Sequence, residues 1–444
     1  MTKFYKLNNE IKHYTWGSAQ LIPDFLGLER DGSPWAELWM GAHPGTSSHI
    51  SLGSGSISLF DYITRNPRHC LGKKTAQNYN SLPFLFKLLA AEQPLSIQAH
   101  PNLSHAQVGF DRENQAGVAL EAPNRSYKDP NHKPEIVCAL TPFTGMCGFR
   151  HPYEIRHLLS LFLKQPYTLK PGAEPLSFTK QQYPSSQPVS DIINEAFTPL
   201  LEALELSGPA EVSNALRNFF IELFSLSIAA REALTEYILS YEAANNSDPQ
   251  VLETCEWRLM SEFARQYPED PSIIAPLYLN VFHLEPGEAV FLKAGVLHSY
   301  IKGFALELMA NSDNVLRGGL TKKHTDILEL MNILDFTPHK PEAIKPLSLP
   351  GTFIYPSPCG EFSLTRIKTK TDGTSGNDEQ GKAELVLNGP VIGIVTEGEA
   401  TINDTILKKG ESVFFPFEEN QEPVTLRGNF TFHAASSGNI FFEK

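Results

Sequence analysis

Little in this 444-residue chain favours cross-links, membranes or polyanions. Cysteine is scarce: Cys70, Cys138, Cys147, Cys255 and Cys359 are scattered with no CxxC pair. An odd number at irregular spacing makes a poor disulfide framework and predicts a reducing compartment. Long apolar runs are missing, so no membrane-spanning helix is expected. The opening MTKFYKLNNEIKHYTWGS has no apolar core of a secretory signal, which points to the cytoplasm. Basic residues are outnumbered 37 to 50, a net charge of −13, which argues against a nucleic-acid or anionic-membrane partner. A locally positive pocket is compatible with that balance. What is present is globular in character, 41% apolar and 20% charged, and long enough for two or three cores.

Three textures follow one another. Up to about Arg150, short apolar runs are broken by Gly, Pro, Asn and Ser. The stretch Phe84 to Ala91, the break Glu92-Gln-Pro and Leu95 to His100 read as strand, turn, strand. From about Pro188 to Pro268 the period becomes helical, with Leu216, Phe219, Phe220, Leu223 and Phe224 on one face and Leu252, Cys255, Leu259 and Phe263 on another. Gln165 to Gln187, rich in Pro, Ser and Gln, predicts an exposed connection into this block. Strands return after Pro276 as hairpins, including a turn at Lys302-Gly303. A helix is predicted from about Thr325 to Ile333, and the tail is strand-like, with turns at Thr371-Asp-Gly and Asn388-Gly-Pro.

One spacing occurs twice. Gly287, Lys293, Gly295 and His298 fit G-x5-P-x-G-x2-H with Lys in place of Pro, and Gly410 and Pro416 fit its first half. Glu418 and Gln421 stand where the second Gly and the His would follow. The pattern resembles the second cupin motif, and a cupin is a double-sheet jelly roll. The expected class is therefore mainly β with an α insert. One metal-binding jelly roll (1–150 with 270–324) would be interrupted by a helical insertion (151–269) and followed by a degenerate C-terminal one (325–444).

Side chains two apart on a strand share a face, so Ser96, Gln98 and His100 lie opposite Leu95, Ile97 and Ala99. An exposed face would account for such a half-polar strand, and so would a cavity. His132-Lys-Pro-Glu135 repeats the construction ahead of the apolar Ile136 to Leu140, with Pro134 suited to the start of a strand. His298 shares a face with Tyr300, as Ala305 does with Glu307 and Met309. Two imidazoles, one carboxylate and one amide suit a zinc-type ion with a position left for water or substrate, although Gln is an unusual ligand. Such a site has about one net positive charge and would favour an anionic or oxyanion-forming substrate. Farther on, Arg317-Gly-Gly precedes Lys323, a segment equally readable as a basic surface loop or a ligand-approaching one.

Taken in order, YTWGS, WAELWMGAHP, SIQAHP, NHKPE, LHSY and SDNVLRGGLT resemble the type I mannose-6-phosphate isomerase (phosphomannose isomerase) family. The resemblance runs from about Tyr14 to His324. It implies a zinc enzyme that interconverts mannose 6-phosphate and fructose 6-phosphate through an enediolate, serving GDP-mannose biosynthesis or glycolysis. It implies one Zn2+ on Gln98, His100, Glu135 and His298, with Arg317 catalytic. Ser96, Lys133, Tyr300, Glu307, Asp313 and Lys323 would bind substrate. Proton transfer is left open among Glu307, Lys133 and a metal-bound water. The chain is expected to act as a monomer on a small sugar phosphate. A cupin metal oxygenase and a non-catalytic sugar-binding cupin are the rival readings. Two positions depart from the family pattern: Leu103, where Lys is common, and Lys322, where Pro is usual.

Overall fold

Alternating and continuous apolar runs need partners on both edges, and they find them in two large antiparallel sheets. The computed structural model describes residues 3–437 apart from 54, 165–187, 246–254, 370–380 and 419–420. The predicted 165–187 connection, Leu252 and the Thr371-Asp-Gly turn lie outside the described residues.

The first sheet runs in the order Leu279–Leu284, Phe143–Phe149, His298–Ala310, Phe84–Ala91, Glu37–His43, Glu10–Lys12. The Glu135–Ala139 strand pairs with both Ala289–Leu292 and His298–Ala310. The short strands Ile97–Ala99 and Leu316–Gly319 pair with each other, and Ile97–Ala99 also pairs with the start of His298–Ala310. Among the described residues, Phe84–Ala91 and Ile97–Ala99 do not pair with each other as the strand-turn-strand reading implied. Both instead pair with His298–Ala310, Phe84–Ala91 along Gly303 to Ala310 and Ile97–Ala99 at His298, with the break at Glu92-Gln-Pro between them.

The hairpin expected at Lys302-Gly303 is likewise absent, because His298–Ala310 is one thirteen-residue strand. Before Gly303 it lies between Phe143–Phe149 and Ile97–Ala99; from Gly303 onward it lies between Phe84–Ala91 and Glu135–Ala139. A strand that changes partners makes a barrel corner, and such corners favour glycine. Gly303 sits at φ 130°, and a Cβ there would come within 2.7 Å of the Pro142 carbonyl oxygen.

The second sheet is built around Val391–Ile402 and Val424–Ser436, and it recruits Tyr5–Lys6 from the start of the chain against Ser412–Phe415. The spacing echo has a conformational counterpart. Gly287 (φ 89°) and Gly410 (φ 87°) each lie two residues ahead of a four-residue strand, Ala289–Leu292 and Ser412–Phe415. Both turns need left-handed backbone, which glycine adopts without a Cβ clash.

The helical period is realised as Val189–Ala203, Val212–Phe224, Ile228–Asn245 and Cys255–Gln266, preceded by Pro152–Leu163. Helices also occur in the region read as strand-like, among them Pro67–Tyr79 and Leu103–Gln115. The insert has a structural task. Its Phe162, Phe219, Phe220 and Phe263 form one core with Ile97, Ala99, Leu297 and Leu316. Each fully buried aliphatic or aromatic side chain in it contributes about 1.5–3 kcal/mol. The insert thus packs the backs of the strands whose opposite faces carry Gln98, His298 and Arg317.

Candidate metal centre

Directly opposed residues on antiparallel strands present their side chains on the same face. His298 stands opposite Gln98, and Gln98 opposite Arg317, so these three form a row across three strands. His100 follows Gln98 by two residues on the same face. Glu135 opens its strand opposite Met309 and Leu292. His100, Glu135 and His298 are each no more than 1% exposed, and their nearest ligand atoms all lie within 4.8 Å of one another.

Both imidazoles are oriented from behind. His100 Nδ1 donates to the Asn314 carbonyl at 2.6 Å, and His298 Nδ1 to the Val296 carbonyl at 2.9 Å. A carbonyl oxygen only accepts, so each Nδ1 carries the proton and each Nε2 presents a lone pair inward. This is the arrangement that prepares histidine to bind a metal. Burial, then Lys133, brings the His100 pKa down to about 4, which keeps the ring neutral. Glu135 is held well below the usual carboxylate range. Burial opposes this, but Lys133 and then His100 outweigh it.

Glu135 Oε1 lies 3.3 Å from His100 Nε2 and 3.0 Å from Lys133 Nζ, while Oε2 lies 3.5 Å from His298 Nε2. Neither His100 Nε2 nor Glu135 Oε1 has a hydrogen-bond partner among the described residues. Lys133 offsets the charge on Glu135 Oε1, but His100 Nε2 is left as a buried acceptor facing a second acceptor, which is costly unless a cation lies between them. Gln98 Nε2 is 3.4 Å from His298 Nε2. The two ends of a carboxamide are nearly isosteric, so a half-turn places Gln98 Oε1 there instead. The donor set fits a zinc-type ion.

The comparisons with known proteins agree with this geometry. The family model "Phosphomannose isomerase type I, catalytic domain" matches residues 4–152. The mannose-6-phosphate isomerase of Escherichia coli (strain K12) is 39% identical over 432 residues, covering 96% of this chain and 97% of its own. The chain belongs to the mannose-6-phosphate isomerase family. The human member is 33% identical over 389 residues, covering 84% of this chain and 83% of its own. A zinc-bound crystal structure of mannose 6-phosphate isomerase superposes with a TM-score of 0.79 at 33% identity, over 98% of this chain and 99% of that one. A point-mutant structure of phosphomannose isomerase from Salmonella typhimurium gives a TM-score of 0.80 over the same shares of both chains, also at 33% identity. The fold is accordingly the cupin type expected of this family, mainly β with a helical block.

Around the candidate ligands the structure distributes the remaining family positions unevenly. Lys133 is buried against Glu135, and the Tyr300 hydroxyl makes a long 3.5 Å contact to Glu135 Oε2. Glu307 is 4% exposed and bonded to Lys87 Nζ at 2.9 Å. Burial pushes its carboxyl above the ordinary range; Lys87 pulls it down, and Glu135 and Glu37 push it up again. Arg317 is half-buried, its guanidinium has no hydrogen bond or ion pair among the described residues, and burial lowers its pKa. Lys323 is exposed on the following loop; burial and then Arg317 lower its pKa, so the two cations share one field. Ser96 is half-buried just ahead of its strand. Asp313 lies at the rim, 3.2 Å from His43 Nε2, and joins no metal cluster among the described residues. Of the two departures, Leu103 opens the exposed side of a helix capped by Asn102, and Lys322 is an exposed loop residue.

Sequence reasoning missed the buried charge cluster beside the candidate ligands. Lys87 lies opposite both Glu307 and Trp39, is 4% exposed, and pairs with Glu307 at 2.9 Å and Glu37 at 3.6 Å. Trp39 Nε1 donates to Glu37 Oε2 at 2.8 Å. The signal was visible: a lone lysine inside Phe84-Leu-Phe-Lys-Leu-Leu-Ala-Ala. Asn314 was also overlooked. Besides its carbonyl to His100, its buried side chain bonds the backbone of Lys128, Asp129 and Asn131 at 2.7–3.2 Å. One residue thereby fixes both a histidine and the loop leading to Lys133 and Glu135.

Proposed function

We propose that this chain is a zinc-dependent isomerase that interconverts mannose 6-phosphate and fructose 6-phosphate. The reading rests on one observation: His100 Nε2 and Glu135 Oε1 are buried and face each other at 3.3 Å with no hydrogen bond to either, with His298 alongside and Lys133 on the carboxylate. Gln98, His100, Glu135 and His298 would hold the ion, one per chain. When bound, it supplies Lewis-acid polarisation of the sugar oxygens.

The chain's own residues account for the rest. Aldose–ketose exchange opens the ring and moves a proton between C1 and C2 through an enediolate. Inside the cavity Glu37, Glu135 and Glu307 face Lys87 and Lys133, a balance of about −1 that a divalent ion turns to about +1. Arg317 and Lys323 add positive charge on one side, suited to the phosphate group and to the oxyanion that develops. Lys133 and Glu307 are candidates to hold the migrating proton. The packed helical core behind the Gln98 strand keeps the row His298, Gln98, Arg317 rigid, so that little reorganisation is needed during reaction.

The same reading takes the catalytic unit as 1–150 with 270–324, the helical insertion as 151–269 and the C-terminal unit as 325–444, acting as a monomer in the cytoplasm. Among the described residues no helix is long and apolar enough to cross a membrane. A coupled assay with mannose 6-phosphate tests the activity. Turnover should vanish with a chelator and return with zinc. Turnover that persists in metal-free protein, or oxygen uptake in place of isomerisation, would overturn the proposal.

A further inference from the structure

A cleft of about 370 Å³ lies between the two sheets, away from the metal centre. None of Gln98, His100, Glu135 or His298 lines it. On one side are Thr141 and Gly287 of the first sheet's loops. On the other are Arg366, Lys368 and His433 of the second sheet, with Lys409 at the edge.

Its charges are unevenly paired. Two carboxylates line it, and both are engaged. Asp24 takes Arg30 through two bonds of 2.7 and 2.5 Å, and Glu397 takes the Thr431 hydroxyl at 2.7 Å and Lys368 at 3.5 Å. The Arg366 and Lys409 side chains have no hydrogen bond or ion pair among the described residues. The Arg366 guanidinium lies over the Phe353 ring at 4.4 Å and its buried Nε is unpartnered; Lys409 Nζ lies over Phe25 at 4.9 Å. Gly287 makes room for the guanidinium, because a Cβ there would collide with Arg366 Nη1.

Beside Arg366 in register stands His433, 2% exposed. The Thr396 hydroxyl donates to the Thr431 carbonyl at 3.2 Å and so accepts from His433 Nδ1 at 3.0 Å. That leaves His433 Nε2 as a bare acceptor with no partner. An unpaired planar cation, a second free ammonium and an unmet acceptor in one cleft complement a ligand that carries both an anionic oxygen group and hydroxyls.

We propose that this inter-sheet cleft is a second ligand site, which binds a phosphate monoester of a small hydroxylated molecule, with Arg366 and Lys409 on the phosphate and His433 accepting from a hydroxyl. The site is independent of the metal centre and does not rest on the isomerase reading. A bound ester would bridge the loop after Glu135–Ala139 to the second sheet.

Calorimetric titration of the metal-loaded protein with glycerol 3-phosphate and with orthophosphate tests this. The ester should bind saturably, at about millimolar affinity or better, and at least as tightly as orthophosphate. Arg366→Gln and Lys409→Gln should each weaken it about tenfold or more, whereas Arg317→Ala should leave it unchanged. Lys409 is at the edge of the cleft, so its variant decides the matter if Arg366→Gln fails to fold. No saturable binding, binding of orthophosphate alone, unaltered affinity in the Lys409 variant, or loss only in Arg317→Ala would each overturn the site.

Discussion

Replacing Lys87 with Met would test whether the inner wall of the cavity is held by charge pairing. Lys87 is 4% exposed and faces Glu307 at 2.9 Å and Glu37 at 3.6 Å. Met retains most of the stem and removes only the ammonium. Removing one partner of a buried pair leaves an uncompensated charge and costs about 3–5 kcal/mol. At roughly 2–4 °C per kcal/mol for a domain of this size, Tm should fall by on the order of 6–20 °C. Adding Glu307→Gln should recover a large part, giving a coupling of at least about 2 kcal/mol in the double-mutant cycle. Glu37 keeps its bond from Trp39 and is the lesser loss.

The pH dependence has a definite sign. Burial raises the Glu307 carboxyl, and Lys87 is the main influence opposing that rise. A raised carboxyl contributes stability that is full below the unfolded value of about 4.3 and is lost as pH climbs through the folded value. Without Lys87 the folded value rises further. The penalty of Lys87→Met should therefore be larger at pH 8 than at pH 5, read by urea or thermal unfolding of the metal-loaded protein under circular dichroism. A penalty below about 1 kcal/mol, one that is equal at both pH values, or a double variant less stable than the single one would refute the reasoning.

Three further outcomes are expected. His298→Ala should lose stoichiometric zinc by elemental analysis, and full retention would remove His298 from the ligand set. Arg317→Ala should lower kcat by about 10²–10³-fold while zinc content stays near one per chain; equal losses of both would make the arginine structural. Asn314→Ala frees the backbone of Lys128, Asp129 and Asn131, so zinc affinity should weaken about tenfold although no ligand is touched. Unchanged affinity in a competition with a chelator would show that the loop does not need that anchor.

The local sequence carried the candidate donors because each sits in a short stretch with its own pattern, although spacing alone does not single out Gln98. Gln98 and His100 alternate on one strand, Glu135 follows Pro134 at a strand start, and His298 ends the Gly287 pattern. Strand period fixes which side chains share a face, and glycine spacing fixes a turn, and both are properties of neighbouring residues. The helical period of the insert was legible for the same reason. What stands opposite a strand is a different kind of information. That His298 faces Gln98, that Gln98 faces Arg317, and that Lys87 buries its charge between Glu307 and Glu37 depend on pairings across up to some two hundred residues. The turn expected at Gly303 shows the limit plainly: Lys302-Gly303 lies inside a continuous strand, because Phe84–Ala91 and Glu135–Ala139 offer its second half edges to pair with. Residue types and their local spacing were thus set by the chain itself, while adjacency, burial and the charge balance of the cavity were decided by long-range strand pairing.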